Sequence, residues 1–200
     1  MIRTPENPIR PNPRGDWPEI HPTAYVDPTA QVIGRVRIGP HVFVGPNAVI
    51  RADEFDTDGE VQAIVVEAEC NVQDGVIIHA LAGTEVTIGQ RTSLAHGAIV
   101  HGPCSLGERC FVGFGAVIFK ANVGPGVFIA ARAVVEEVDV PASTFIPSFA
   151  FISQDRIGRL RKTDPHERGF MEEVVETNLK LADGYLGSAQ VKGVADGRIT

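Results

Sequence analysis

The chain has 200 residues, enough for one domain with a sizeable core. Its net charge of −7 and pI near 5.3 argue against a nucleic-acid partner. No apolar run approaches a membrane span, and residues 1–19 lack the apolar h-region of a signal peptide, so the protein is expected in the cytoplasm, off the membrane.

Residues 1–18 hold five prolines and no periodicity, and read as an extended arm whose Ile2, Ile9 and Trp17 could pack on the body. From Tyr25 a beat of about six residues begins. Its aliphatic openers are Val26, Ile33, Ile38, Val44 and Ile50, then Val66, Val72, Ile78, Ile88, Leu94, Val100, Leu106, Val112 and Ile118, and finally Val123, Ile129, Val135, Val140 and Ile146. Glycine often follows, as in Ile38-Gly39, Val44-Gly45 and Leu106-Gly107. This period is too short for helical repeats and too regular for a sandwich, whose turns recur at wider spacing. It is the hexapeptide signature of a parallel β-helix, with three hexapeptides to each triangular coil.

The openers therefore fall into three columns. Val26, Val44, Val72, Leu94, Val112, Ile129 and Ile146 form the first. Ile33, Ile50, Ile78, Val100, Ile118 and Val135 form the second. Ile38, Val66, Ile88, Leu106, Val123 and Val140 form the third. Two insertions interrupt the beat, an acidic one at 54–63 and a short one near 82–85. The β-helix is expected over 19–152, a helical segment over 153–185 and a flexible tail over 186–200. Ser153 can cap a short helix. Phe170, Met171, Val174, Val175, Leu179 and Ala182 mark a second, amphipathic one ended by Gly184. The three cysteines, Cys70, Cys104 and Cys110, are an odd number without CxxC spacing and read as buried thiols.

Three of the six histidines lie between Asn71 and Pro103. His79 follows Ile78 and His101 follows Val100, both in the second column, one coil apart and about 5 Å between Cα atoms. They form a plausible pair of metal ligands. His96, two residues after Leu94 in the first column, is separated from His101 by roughly 16 Å of extended chain. It is poorly placed to join its own chain's pair, and a neighbouring subunit could supply it. Three prisms packed about a three-fold axis would set the first column of one chain against the second column of the next. The same docking brings Arg51, below His79, against a neighbour's Asp74, below His96, as a charge pair. A lone histidine is more often an ordinary surface residue, which is the reading for His21, His41 and His166; three in consistent columns are harder to dismiss. Three neutral imidazoles with an open fourth position suit zinc or another divalent transition metal, which would make hydroxide available. Glu54, positioned by Gln73, is a candidate acceptor for that hydroxide; as solvated loop residues they would do nothing.

At these residues the chain resembles a known family. Arg51-Ala52-Asp53-Glu54, Asn71-Val72-Gln73-Asp74-Gly75, Ile78-His79-Ala80-Leu81, Ser93-Leu94-Ala95-His96 and Val100-His101-Gly102-Pro103 resemble, in that order, the gamma-class carbonic anhydrases. The likeness continues through 111–124, 146–148 and 181–185. It implies an all-β, left-handed parallel β-helix with a C-terminal α-helix packed alongside, assembled as a homotrimer. It implies zinc, iron or cobalt at each interface, held by His79 and His101 of one chain and His96 of the next. The implied reaction is the lyase reaction that interconverts carbon dioxide and bicarbonate. Glu54 and Gln73 look like the residues that hold hydroxide and bicarbonate, Arg51 and Asp74 like the interface pair, and Asn178 like a bicarbonate-pocket asparagine. Two positions depart from the family. Ala82 stands where better-known members carry a glutamate proton shuttle, as in a shorter subclass, and Glu176 stands where a tyrosine is expected. Proton export could instead use Glu54, Asp56, Asp58 or Glu60. A trimeric scaffold or bicarbonate-binding homologue is the alternative reading. A hexapeptide acyltransferase would leave His79 and His101 without a shared purpose.

Overall fold

The computed structural model describes residues 8–195, with side chains as far as Ser188. The first seven residues of the arm, Ile2 among them, and the last five of the tail lie outside it. The described strands stack into three parallel sheets of eight, seven and seven strands, the walls of a left-handed triangular prism. Each wall is one predicted column. The first runs Val26, Val44, Val72, Leu94, Val112, Ile129, Ile146 in unbroken register. The third runs Ile38, Val66, Ile88, Leu106, Val123, Val140.

The second column differs at its first rung, where Ile50 pairs with Val32 rather than Ile33. Both are buried. Val32 points into the prism, and Ile33 is covered from outside by the arm, whose Ile9–Arg10 strand pairs with Val32–Ile33. Two adjacent aliphatics, each hidden from a different side, leave the pattern no way to choose between them. Trp17 does not pack; it is 58% exposed. The arm instead anchors through Asn12, whose Nδ2 donates to the Ala52 carbonyl at 3.2 Å and whose Oδ1 accepts from Arg14 N and Asp16 N. Gly34, at φ +80°, lets the chain pass here, since a Cβ would sit 2.1 Å from the Ala52 oxygen.

The low aromatic content follows from the cross-section. The fully buried interior is Ile, Leu and Val, with alanines in the corners. A coil three short strands wide has no room for a ring. The aromatics lie outside this interior, and Tyr25, Phe43, Phe111, Phe128 and Phe145 share one outward ladder on the first wall. Against it packs the helix Pro165–Ala195.

That helix runs through Gly184. The glycine keeps a helical φ, and Tyr185 beyond it stacks on Tyr25 at 4.7 Å, so docking carries the helix past the residue expected to end it and into the stretch expected as a tail. Ser153 caps nothing, since its Oγ bonds Asp155 at 2.6 Å and only a 3-10 turn, Ile157–Arg159, follows. The working cap is a reciprocal box: Glu167 N donates to Asp164 Oδ1 at 3.0 Å and Asp164 N to Glu167 Oε2 at 2.8 Å.

The three walls differ outside. The third presents Glu19, Arg37, Val65, Thr87, Ser105, Asn122 and Asp139. The first is covered by the helix. The second presents Val49, Ile77, Ile99, Val117, Val134 and Phe151 on successive rungs, with Ile77 39% and Phe151 44% exposed.

Candidate metal centre

The strand ends of the second wall place Arg51, His79, His101 and Phe119 on consecutive rungs. His79 is 4% exposed. Its Nδ1 lies 3.1 Å from His101 Nε2, the rings nearly perpendicular. Two ligands on one tetrahedral zinc stand about 3.3 Å apart, from bond lengths of about 2.0–2.1 Å. The buried His79 Nε2 and His101 Nδ1 have no hydrogen-bond partner. Burial, and next the Arg51 charge, hold the His79 pKa below its ordinary value and favour the neutral imidazole that a metal needs. The pair therefore fits two positions of a metal centre. Among the described residues no three His, Cys, Asp or Glu side chains converge on one point.

Carboxylates flank the pair. Asp53 Oδ1 and Glu54 Oε1 each lie 3.4 Å from His79 Nε2. Asp53 is held by Arg51 Nη1 at 2.7 and 2.9 Å. Glu54 Oε2 accepts from Ala82 N at 3.1 Å, which joins the two insertions over the histidines. Asp56 is tied into its own loop, accepting from Asp58 N and Glu60 N.

The remaining candidates gather on the first wall. His96 is half exposed, stacks on Phe114 at 5.7 Å and stands 3.6 Å from Asp74. Gln73 Nε2 donates at 2.8 Å to both Asn71 Oδ1 and Asn178 Oδ1. Asn178, on the helix, spends its own Nδ2 on the Val174 carbonyl at 2.8 Å. A cavity of about 190 Å³ adjoins this group, lined by Asn71, Gln73, Ser93 and His96 with Phe111, Phe114 and Val174 among its apolar walls. Arg51 meets Asp53 in its own chain, while Asp74 faces His96. No hydrogen bond or ion pair among the described residues joins the Glu54–His79–His101 group to the Gln73–Asn178–His96 group.

Sequence reasoning gave Asn71 and Ser93 no role of their own. Both are 1% exposed, and Asn71 Nδ2 and Ser93 Oγ have no partner. The signal was present: they are the two polar rungs of the otherwise aromatic outward ladder on the first wall.

Comparison with known proteins agrees with the architecture. Residues 18–52 and 85–120 match the bacterial transferase hexapeptide (six repeats) family. The chain is 39% identical over 203 residues to a carbonic anhydrase of Methanosarcina thermophila, covering 90% of this chain and 80% of that one. It is 35% identical over 188 residues to the carboxysome assembly protein CcmM of a Nostoc species, covering 88% of this chain and 33% of that one. The chain thus spans about a third of that second relative's length. A solved structure described as a putative acetyltransferase of Bacillus cereus shares the fold, with a TM-score of 0.76 at 22% identity over 90% of this chain and 96% of that one.

Proposed function

From the premise that the chain belongs to the gamma-class carbonic anhydrase family, we propose that it catalyses the reversible hydration of carbon dioxide to bicarbonate at sites shared between subunits of a homotrimer. The observation that carries the reading is the pair of imidazoles on adjacent rungs, the buried His79 and its neighbour His101, 3.1 Å apart with one buried nitrogen of each left without a hydrogen bond. His79 and His101 would hold zinc, or iron or cobalt, with His96 of the next chain. Such a metal supplies Lewis-acid chemistry that brings the pKa of a water to about 7.

This chain's own groups do the rest. Glu54, anchored by the Ala82 N–H, keeps a carboxylate oxygen beside His79 to accept a proton. Gln73 is oriented from two sides by Asn71 and Asn178, which makes Asn178 a support for Gln73. The cavity beside His96 suits a small molecule with an apolar body and acceptor oxygens, since its walls are largely apolar and Asn71 and Ser93 bring unpartnered donors. Carbon dioxide has that character. Packing the Glu54 group of one chain against the Gln73 group of the next would complete the site, and the uncovered apolar second wall supports such packing.

The similarity to carboxysome assembly proteins, together with Ala82 at the shuttle position, favours a second reading, a metal-holding scaffold with little turnover. Stopped-flow hydration on metal-loaded protein, across buffer concentrations, separates the two. Turnover that rises with buffer and vanishes in His96→Ala supports the enzyme. A full metal load without turnover supports the scaffold.

A further inference from the structure

The C-terminal helix meets the prism through a narrow face. Past its first turn the buried side chains among the described residues are Met171, Val175, Asn178 and Ala182. An asparagine occupies a position in this stripe where an apolar residue would pack better. Phe170 and Leu181 on its flanks stay 39% and 42% exposed. The ring contacts of the helix lie toward its two ends, Phe170 on Phe111 and Tyr185 on Tyr25, and Asn178 between them needs a set axial position. Its bond to Gln73 is 2.8 Å long, and a slip of one residue moves a helix by about 1.5 Å.

Arg91 adds a polar constraint between those ends. It occupies the prism corner just before Ser93–Leu94, at φ +57°, with its backbone N–H on the Ala68 carbonyl at 3.0 Å. Its side chain is 16% exposed. Nη1 donates to Glu69, a residue of the corner one coil earlier. Nη2 donates to Glu172 and, at 2.7 Å, to Glu176. These two glutamates stand one helical turn apart on the same helix face, so one guanidinium on a rigid corner grips the helix at two points. Two points set both its rotation and its axial position. Without the cation, three carboxylates would face one another across the joint.

We propose that Arg91 is a positioning residue: by tying Glu172 and Glu176 to the prism corner it holds Asn178 on Gln73 beside His96. Glu176, where the resemblance expects a tyrosine, then serves as one arm of this latch. The latch itself stands on geometry; only its kinetic consequence rests on the function proposed above.

The test is Arg91→Gln in the full chain. Amide hydrogen exchange over 171–182 should quicken about tenfold, the scale of losing a charge-assisted hydrogen bond, while the hexapeptide coils and the metal content stay unchanged. The side-chain amide NMR signal of Gln73 should move as it does in Asn178→Ala. Wild-type exchange and an unmoved Gln73 signal would overturn the proposal, as would loss of protection spread through the coils. In carbon dioxide hydration, Arg91→Gln should lower kcat, and adding Asn178→Ala should lower it no further; additive losses overturn the positioning role. If the wild type shows no turnover, the carbonic anhydrase reading fails, and exchange and NMR still decide the latch. Should Arg91→Gln fail to fold, Glu172→Gln/Glu176→Gln cuts the latch at its exposed end, with the same readings expected.

Discussion

Glu54 and Asp53 are sequence neighbours held by different partners. Asp53 accepts from Arg51 through both carboxylate oxygens. Glu54 has a single backbone donor, Ala82 N, and keeps an oxygen toward His79. A carboxylate so held is oriented without being neutralised, as a proton acceptor requires. Glu54→Gln preserves the hydrogen bond from Ala82 and removes the basicity. It should lower kcat about a hundredfold or more, with trimer mass and metal content unchanged. A variant that loses metal together with activity would instead make Glu54 a structural support of the histidine pair. The three cysteines, all buried, belong to the interior. Desolvation pushes the Cys70 thiol up to about 12 and Cys110 to about 11, so neither offers a thiolate at neutral pH.

The strands and the helix differ in how far their sequences reveal them. Every opener of the first and third columns lies where the six-residue beat puts it, because an inward aliphatic is the only kind of side chain the narrow prism accepts. The exception, Val32 for Ile33, arises where the arm hides the outward residue as well. The helix ends were harder to see, because their signals are short and were outvoted. Gly184 is overridden by the Tyr185–Tyr25 stack, and Ser153 by the true box at Asp164 and Glu167. That box predicts an acid response. The hydrogen bond from Arg161 holds the Glu167 carboxyl below its usual range, and the backbone bond from Glu167 does the same for Asp164. Both groups bind fewer protons folded than unfolded, so their stabilisation is present above the ordinary carboxylate range and is lost as pH falls through it. Glu167→Gln should therefore lower Tm at pH 6, and the gap from wild type should close toward pH 3. Thermal melts followed by circular dichroism read it; a gap that does not change with pH would mean that the pair contributes nothing through ionisation.

At the scale of the whole molecule, the His79–His101 pair was legible and the relation of His96 to such a pair across chains was not. A single chain separates His96 from the His79–His101 pair because the two lie on different walls, and nothing in the six-residue beat says how walls of different chains abut. The apolar ladder Val49, Ile77, Ile99, Val117, Val134 and Phe151 gives the direction. Of the three outer faces it is the apolar one that no described residue covers, which is the condition of a surface awaiting a partner. A contact between unlike surfaces of identical chains closes only as a ring. In the proposed three-fold ring each site would draw the pair from one subunit and His96 from the next. Two inactive variants, His101→Ala and His96→Ala, should therefore repair each other. Where a His96→Ala chain lends its pair to a His101→Ala chain's intact His96, the ligand set is whole, and random mixing at equal dose makes about a quarter of the interfaces so. Co-expressed and purified as mixed trimers, the variants should recover metal and hydration activity at about that fraction of wild type, while each alone has neither. Recovery would place the third ligand across an interface. No recovery, in trimers shown by mass to be mixed, would return His96 to the surface and leave the buried pair to some two-ligand purpose.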